Sequence, residues 1–137
     1  MLHLQEAIRI DPDYWEAHAN LADVYWRERH LAPALEELNL ALAIDANSET
    51  LQSNSAVVLL ALDRPAEAAS AARRALRISP DSVDAHYLLG TALLKSGEIT
   101  EETERSLAAA ATKYPQAKAA QAAIFGISQG AAPTGDG

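Results

Sequence analysis

Apolar positions in this chain recur at intervals of three and four, as in Leu21, Val24, Tyr25 and then Leu35, Leu38, Ala41, Leu42. Such spacing gathers them on one face of a helix of 3.6-residue period, so each stretch reads as a helix that buries one side. The pattern predicts first helices over roughly 14–28, 49–62 and 83–96, and second helices over roughly 31–44, 65–78 and 100–113. No polar–apolar alternation runs long enough to argue for a strand. Boundary residues agree. Asp13 with Glu16 has the form of a capping box, and Ser48 and Ser82 stand where the later first helices begin. Pro33 and Pro65 fall in first turns, where a missing amide proton costs nothing, and Gly97 suits a left-handed stop. Pro12, Pro80 and Pro115 separate one helical pair from the next.

The helices also repeat as pairs. Ala7-Ile8-Arg9-Ile10-Asp11-Pro12 returns 34 residues later as Ala41-Leu42-Ala43-Ile44-Asp45-Ala46, and after 34 more as Ala75-Leu76-Arg77-Ile78-Ser79-Pro80. A fixed period of this length means stacked copies of one small unit, which build long surfaces for partners more readily than deep catalytic pockets. Small residues hold fixed places in it: Ala22, Ala56 and Gly90, then Ala34 and Ala68. Two irregularities stand out. Ser55 sits where Leu21 and Leu89 sit, and one extra residue follows Gly97, which predicts a late start for the last second helix.

With Trp15, Glu49 and Val83 as first residues, small side chains occupy the eighth, twentieth and twenty-seventh places (Ala41 and Ala75 at the last). On these columns residues 2–116 resemble a tetratricopeptide repeat protein. His18, Gln52 and His86 depart from that family's tryptophan at the fourth place. The resemblance implies an all-α fold, an α-solenoid of antiparallel helix pairs in a right-handed superhelix. It would comprise about 3.5 units and a C-terminal capping helix. The expected divisions are a half unit 1–14, units 15–48, 49–82 and 83–116, and a capping helix 117–127 that closes a solenoid over 1–127. Residues 128–137 read as a flexible tail by composition. The opening half unit leaves Leu4 and Ile8 facing an absent neighbour, so they are candidates for a self-association edge or a join to a longer solenoid.

Charge and composition narrow the choice of partner. The net charge is −8, and the segment 15–48 holds six acids against two bases. An acidic chain gains no counterion-release energy from a phosphate backbone, which argues against nucleic acid. Arg64, Arg73, Arg74 and Arg77 form a local basic cluster, read as a solvated outer face with an ion-pair or docking role as the alternative. There is no cysteine. No stretch approaches the roughly 20 apolar residues of a membrane span, and no secretion signal is visible, which favours the cytoplasm.

Candidate chemistry is sparse. His18 and His86 lie two units apart and cannot share a metal, so each reads as a histidine at a helix contact. Glu36-Glu37 and Glu101-Glu102-Glu104 are expected in first turns, where acids complement the helix dipole. No phosphate loop or nucleophile elbow is present. The expectation is a chain without catalytic residues, metal or cofactor.

Binding remains. The resemblance implies that first helices line a concave groove for an extended peptide or a partner helix. Its groove places fall on Glu16, Asn20, Asp23, Trp26 and Arg27, then Ser53, Asn54 and Val57, then Asp84, Tyr87, Thr91 and Lys95. An asparagine can donate to and accept from a peptide backbone, so Asn20 and Asn54 offer two rungs of a ladder; the alternative is that each ties neighbouring helices together. Trp26 is a candidate hot spot or, alternatively, packs on the next unit. Co-chaperones of the family hold a terminal carboxylate with basic and amide residues at the fifth and ninth places. Here those places hold Ala19, Ser53, Tyr87 and Asp23, Val57, Thr91, so that clamp is missing. The expected ligand is a neutral to mildly basic protein or peptide segment with apolar anchors. Alternative readings are structural self-assembly and a substrate-recruiting part of a larger enzyme, such as a glycosyltransferase.

Overall fold

The computed structural model describes residues 15–128, and every regular element among them is a helix. They are α1 (Trp15–Arg27), α2 (Leu31–Ile44), α3 (Glu49–Ala61), α4 (Pro65–Ile78), α5 (Val83–Lys95), α6 (Glu101–Ala110) and α7 (Pro115–Ser128). Each packs on the next in sequence, while α3 also touches α5 and α5 touches α7. Helical hairpins therefore stack in layers, an all-α solenoid with the first helices on one side.

Local chemistry sets the boundaries. Ser48 Oγ accepts from the Leu51 amide at 3.2 Å and Ser82 Oγ from the Ala85 amide at 3.1 Å, as their positions predict. Asp13 lies outside the described residues. Pro65 opens α4 at its first position. The turn inside each hairpin is one motif used three times. Its pivot is Arg29 (φ 62°), Asp63 (φ 61°) or Gly97 (φ 77°), each in the left-handed region. The following amide closes onto the carbonyl five residues back: His30 to Tyr25, Arg64 to Leu59 and Glu98 to Leu93, all at 2.8 Å. Only the glycine is visible in the sequence as such a pivot.

After Gly97 the chain runs on to Thr100, whose side chain and that of Thr103 cap one another's backbone amides, so α6 starts late, as the extra residue predicts. Two boundaries differ from expectation. Helix α6 stops at Ala110 rather than near 113, because the Lys113 and Tyr114 amides both turn back onto the Ala110 carbonyl. Pro115 opens α7 instead of standing between helices. Glu36 and Glu37 are also corrected: α2 begins at Leu31, so they lie beyond its first turn. Glu101, Glu102 and Glu104 do occupy the first turn of α6.

Alanines line the closest helix contacts. Ala17, Ala34, Ala41, Ala56, Ala68 and Ala75 have no exposed surface, and no larger side chain would allow that approach. Most of the core is one apolar cluster running from Ala22 to Leu93. Leu107, Ala110 and Ala117 form a second, smaller cluster with Tyr87, Leu94, Tyr114 and Ala120 around it. Thr103 stands in the alanine column between them and is fully buried; its hydroxyl donates to the Glu98 carbonyl at 2.6 Å. Ser55 is buried too, but its hydroxyl has no partner among the described residues, and a cavity of about 230 Å³ lies beside it.

Candidate functional site

The solvent-facing side of the first helices carries most of the predicted groove residues. Glu16, Asn20, Asp23, Arg27, Asn54, Asp84 and Lys95 are exposed, and Trp26, Val57, Tyr87 and Thr91 are half-buried. Ser53 is buried, and its hydroxyl donates to Glu49 at 3.0 Å, so it belongs to the wall rather than the open face. Leu4 and Ile8 lie outside the described residues.

A hollow of about 160 Å³ opens between α1 and α3. Ala19, Ala22, Asp23 and Trp26 line one side, Asn54, Val57 and Val58 the other, and Leu38 closes the floor. Periodicity explains the grouping. Ala19, Ala22, Asp23 and Trp26 are spaced by three and four on α1, and Asn54, Val57 and Val58 similarly on α3. Trp26 packs against the main core and also walls the hollow. The Arg29 guanidinium lies 5.3 Å from its ring centroid and holds the indole plane. Among the described residues nothing accepts from the indole N–H, and neither Asn20 nor Asn54 makes a side-chain hydrogen bond. The amides therefore do not tie described helices together.

The rest of the face is less open. Asp23 pairs with Arg27 one turn on. Asp84 accepts from Lys113 Nζ at 3.0 Å and from the Tyr114 hydroxyl. The Tyr114 hydrogen bond first, and then that of Lys113, hold the Asp84 carboxyl below its ordinary range. The same bond raises the Tyr114 hydroxyl above its usual value. Tyr87 stacks on Tyr114 with ring centroids 4.2 Å apart and planes 13° from parallel. Thus two residues expected to face a ligand are engaged by the turn between α6 and α7. Pro115 marked a break there in the sequence, but nothing marked the engagement of Asp84 and Tyr87, because that depends on where α6 stops.

The histidines do not converge. His18 Nδ1 meets Glu37 Oε1 at 2.7 Å, and His86 Nε2 donates to the Pro80 carbonyl at 3.0 Å. Among the described residues no three His, Asp or Glu side chains are placed to hold a metal ion, and no helix is long and apolar enough to cross a membrane. The basic cluster also differs from a purely solvated face. Arg64 forks onto Glu67 (2.7 and 2.8 Å), Arg73 onto Glu102 across α4 and α6 (3.0 and 2.8 Å), and Arg74 donates to Gln52 at 3.0 Å.

Comparison with known proteins bears on this arrangement. Residues 1–53 and 54–118 each match a family profile described as tetratricopeptide repeat. Over 122 residues the chain is 34% identical to the DnaJ homolog subfamily C member 7 homolog of Schizosaccharomyces pombe, covering 77% of this chain and 25% of that protein. The chain thus spans about a quarter of that relative's length. Among solved structures, MamA superposes with a TM-score of 0.82 at 19% identity, over 89% of this chain and 72% of that one. YrrB, described as a TPR protein with an unusual peptide-binding site, gives 0.81 at 19% identity over 92% and 66%. The first TPR of Spaghetti bound to the HSP90 peptide SRMEEVD gives 0.76 at 16% identity over 81% and 90%. At these identities the likeness to solved structures is one of fold. Matched profiles, helix-pair period and stacked architecture agree: the chain belongs to the tetratricopeptide repeat family.

Proposed function

We propose that this chain is a non-catalytic protein-interaction module that holds an extended peptide or partner helix along its first helices, anchored between α1 and α3. The hollow lined by Ala19, Trp26 and Val57 carries the reading. It is large enough for one apolar side chain, and the Trp26 indole N–H and Asn54 amide stand free at its walls to meet a peptide backbone. Tryptophan is favoured for such anchoring because it offers wide contact with few rotors to freeze.

Internal pairing refines the ligand's charge. Asp23 and Asp84 are already matched by Arg27 and by Lys113 with Tyr114, which leaves Glu16 and Lys95 as opposite charges at the two ends of the face. A neutral segment with an apolar anchor fits that balance better than a basic one. The basic terminal-carboxylate clamp is missing from the fifth and ninth places, so an acidic peptide tail such as the one bound to Spaghetti is not the expected ligand.

Peptides selected from a random library against the full chain provide the test. Trp26→Ala combined with Asn54→Ala should weaken their binding at least about tenfold, the equivalent of about 1.4 kcal/mol. Undiminished affinity in the double variant would move the binding face elsewhere.

A further inference from the structure

The arginine cluster divides in two. Arg64 and Arg73 each spend a guanidinium fork on one carboxylate, Glu67 and Glu102. Among the described residues Arg74 bonds only to the Gln52 side chain, and Arg77 forms no hydrogen bond or ion pair. These two line one hollow of about 420 Å³ with Ala46, Asn47, Gln52 and Ile78. No carboxylate is among its lining residues, although the chain as a whole carries −8. It shares no residue with the hollow between α1 and α3.

The hollow is built, not merely basic. Gln52 is 4% exposed; its Nε2 donates to the Ala46 carbonyl at 3.3 Å, and its Oε1 accepts from Arg74 Nε. A buried amide fixed at both ends thus orients Arg74 and leaves both of its terminal nitrogens without a described partner, so less freedom is lost when a ligand binds. Repeat packing does not demand the pair, since Leu40 and Ala43 hold the same places one period earlier. The dipole of α4 accounts for a cation in its last turn at Arg77, but not for an arginine fastened at position 74.

We propose that Arg74 and Arg77, with the Asn47 side chain, form a site for a phosphoryl dianion, either inorganic phosphate or a phosphomonoester. Two guanidinium charges balance its charge of nearly −2. The donors also outnumber what a carboxylate can accept. Two unpartnered terminal nitrogens of Arg74, a fork from Arg77 and one amide exceed its roughly four acceptor positions, whereas three phosphoryl oxygens can use them all. The net charge repels anions at a distance, so binding depends on the local charge-assisted contacts, and screening of those contacts weakens it as salt rises.

The test follows the arginine Nε–Hε signals of the full chain by NMR at neutral pH and constant ionic strength. Its arms are inorganic phosphate, a blocked phosphoserine peptide, the unphosphorylated peptide and acetate. Saturable shifts confined to Arg74, Arg77 and the Asn47 amide are expected with both phosphoryl ligands. The tighter of the two identifies whether a phosphorylated chain or a small anion is the source. Arg77→Gln should raise the dissociation constant at least about fivefold, the loss expected for one charge-assisted fork. Arg105→Gln, an equal charge change on another helix, should leave it unchanged. Arg77 forms no hydrogen bond or ion pair with a described residue, so its substitution tests the site without breaking the bonds of Gln52; Arg74→Gln is the companion variant. Shifts that do not saturate, equal weakening by Arg105→Gln, or acetate binding as tightly as phosphate would each overturn the assignment.

Discussion

A single methyl group separates Gly90 from the alanines that precede it at 34-residue intervals, Ala22 and Ala56, and the structure gives the reason. A Cβ built at Gly90 would lie 2.6 Å from Leu107 Cδ2 and 2.9 Å from its Cγ. Leu107 is 1% exposed and cannot swing out to make room. Two effects oppose one another in Gly90→Ala. Helix propensity favours alanine by about 1 kcal/mol, while overpacking a filled core costs about 1–3 kcal/mol. Contact at this distance makes the second larger, so the variant should lose about 1–2 kcal/mol, read as a lowered denaturant midpoint with an unchanged slope. An unchanged or raised midpoint would mean that α6 shifts freely. The sequence column of small residues is legible without coordinates, but why one member lacks even a methyl is not. It depends on the approach of α6, which the extra residue after Gly97 displaces. Ser55 was similarly legible as an irregularity, whereas its unpartnered hydroxyl beside a cavity was not.

Hairpin turns carry the next level of organisation. Arg29, Asp63 and Gly97 all adopt positive φ, so the turn imposes a left-handed residue whatever side chain occupies it. For an L-residue that conformation costs roughly 1 kcal/mol, less for aspartate than for most. Asp63→Gly should therefore raise stability by about 0.5 kcal/mol or more, a gain lessened by glycine's greater unfolded entropy. A fall in thermal midpoint would show that the Asp63 side chain contributes something beyond its backbone shape. The α6–α7 turn works differently, through Asp84. Its carboxyl is held below the ordinary range by Tyr114 and Lys113, so it binds a proton more readily when unfolded than when folded. Its contribution is therefore present above the unfolded carboxylate pKa and lost as pH falls through the lower folded value. Asp84→Asn should melt below the wild type at neutral pH, and the gap should close in acid. A pH-independent gap would sink the pairing. First- and second-helix ranges were readable because apolar spacing and caps are local. The end of α6 was not, since two amides share the Ala110 carbonyl there, and the engagement of Asp84 and Tyr87 follows from it.

Stacked repeats hold together chiefly through neighbouring layers, so stability along the solenoid need not be uniform. Here the apolar content of the layers changes from one end to the other. The main cluster joins α1 to α5 without interruption, and its buried members are alanines and leucines with Val58. At α6 the helix is shorter, and buried Thr103 and Ser106 occupy its inward face. Beyond them, among the described residues, only the small Leu107–Ala110–Ala117 cluster continues the core. What couples α6 and α7 back to the body is partly polar: Arg73 with Glu102, and Asp84 with Lys113 and Tyr114. Partly exposed ion pairs of this kind contribute about 0–1 kcal/mol each, well below the about 2–5 kcal/mol at stake in a buried leucine. The α6–α7 hairpin should therefore open as a unit before α1–α5 unfold. Native-state hydrogen exchange under low denaturant measures this directly, with α6 and α7 amides exchanging together at a lower opening free energy than those of α3 and α4. Arg73→Ala should lower the free energy of that first step while leaving the α2–α3 amides unchanged, because the arginine fork spans α4 and α6 alone. Protection of equal depth along α2–α7, or an Arg73→Ala effect spread over the whole chain, would show instead one cooperative unit in which the polar contacts couple as tightly as the apolar ones. Such graded stability also bears on binding: the hollow between α1 and α3 would stay formed while the far hairpin opens, so opening at Tyr114 would release Asp84 and Tyr87 from their partners without loss of the anchor.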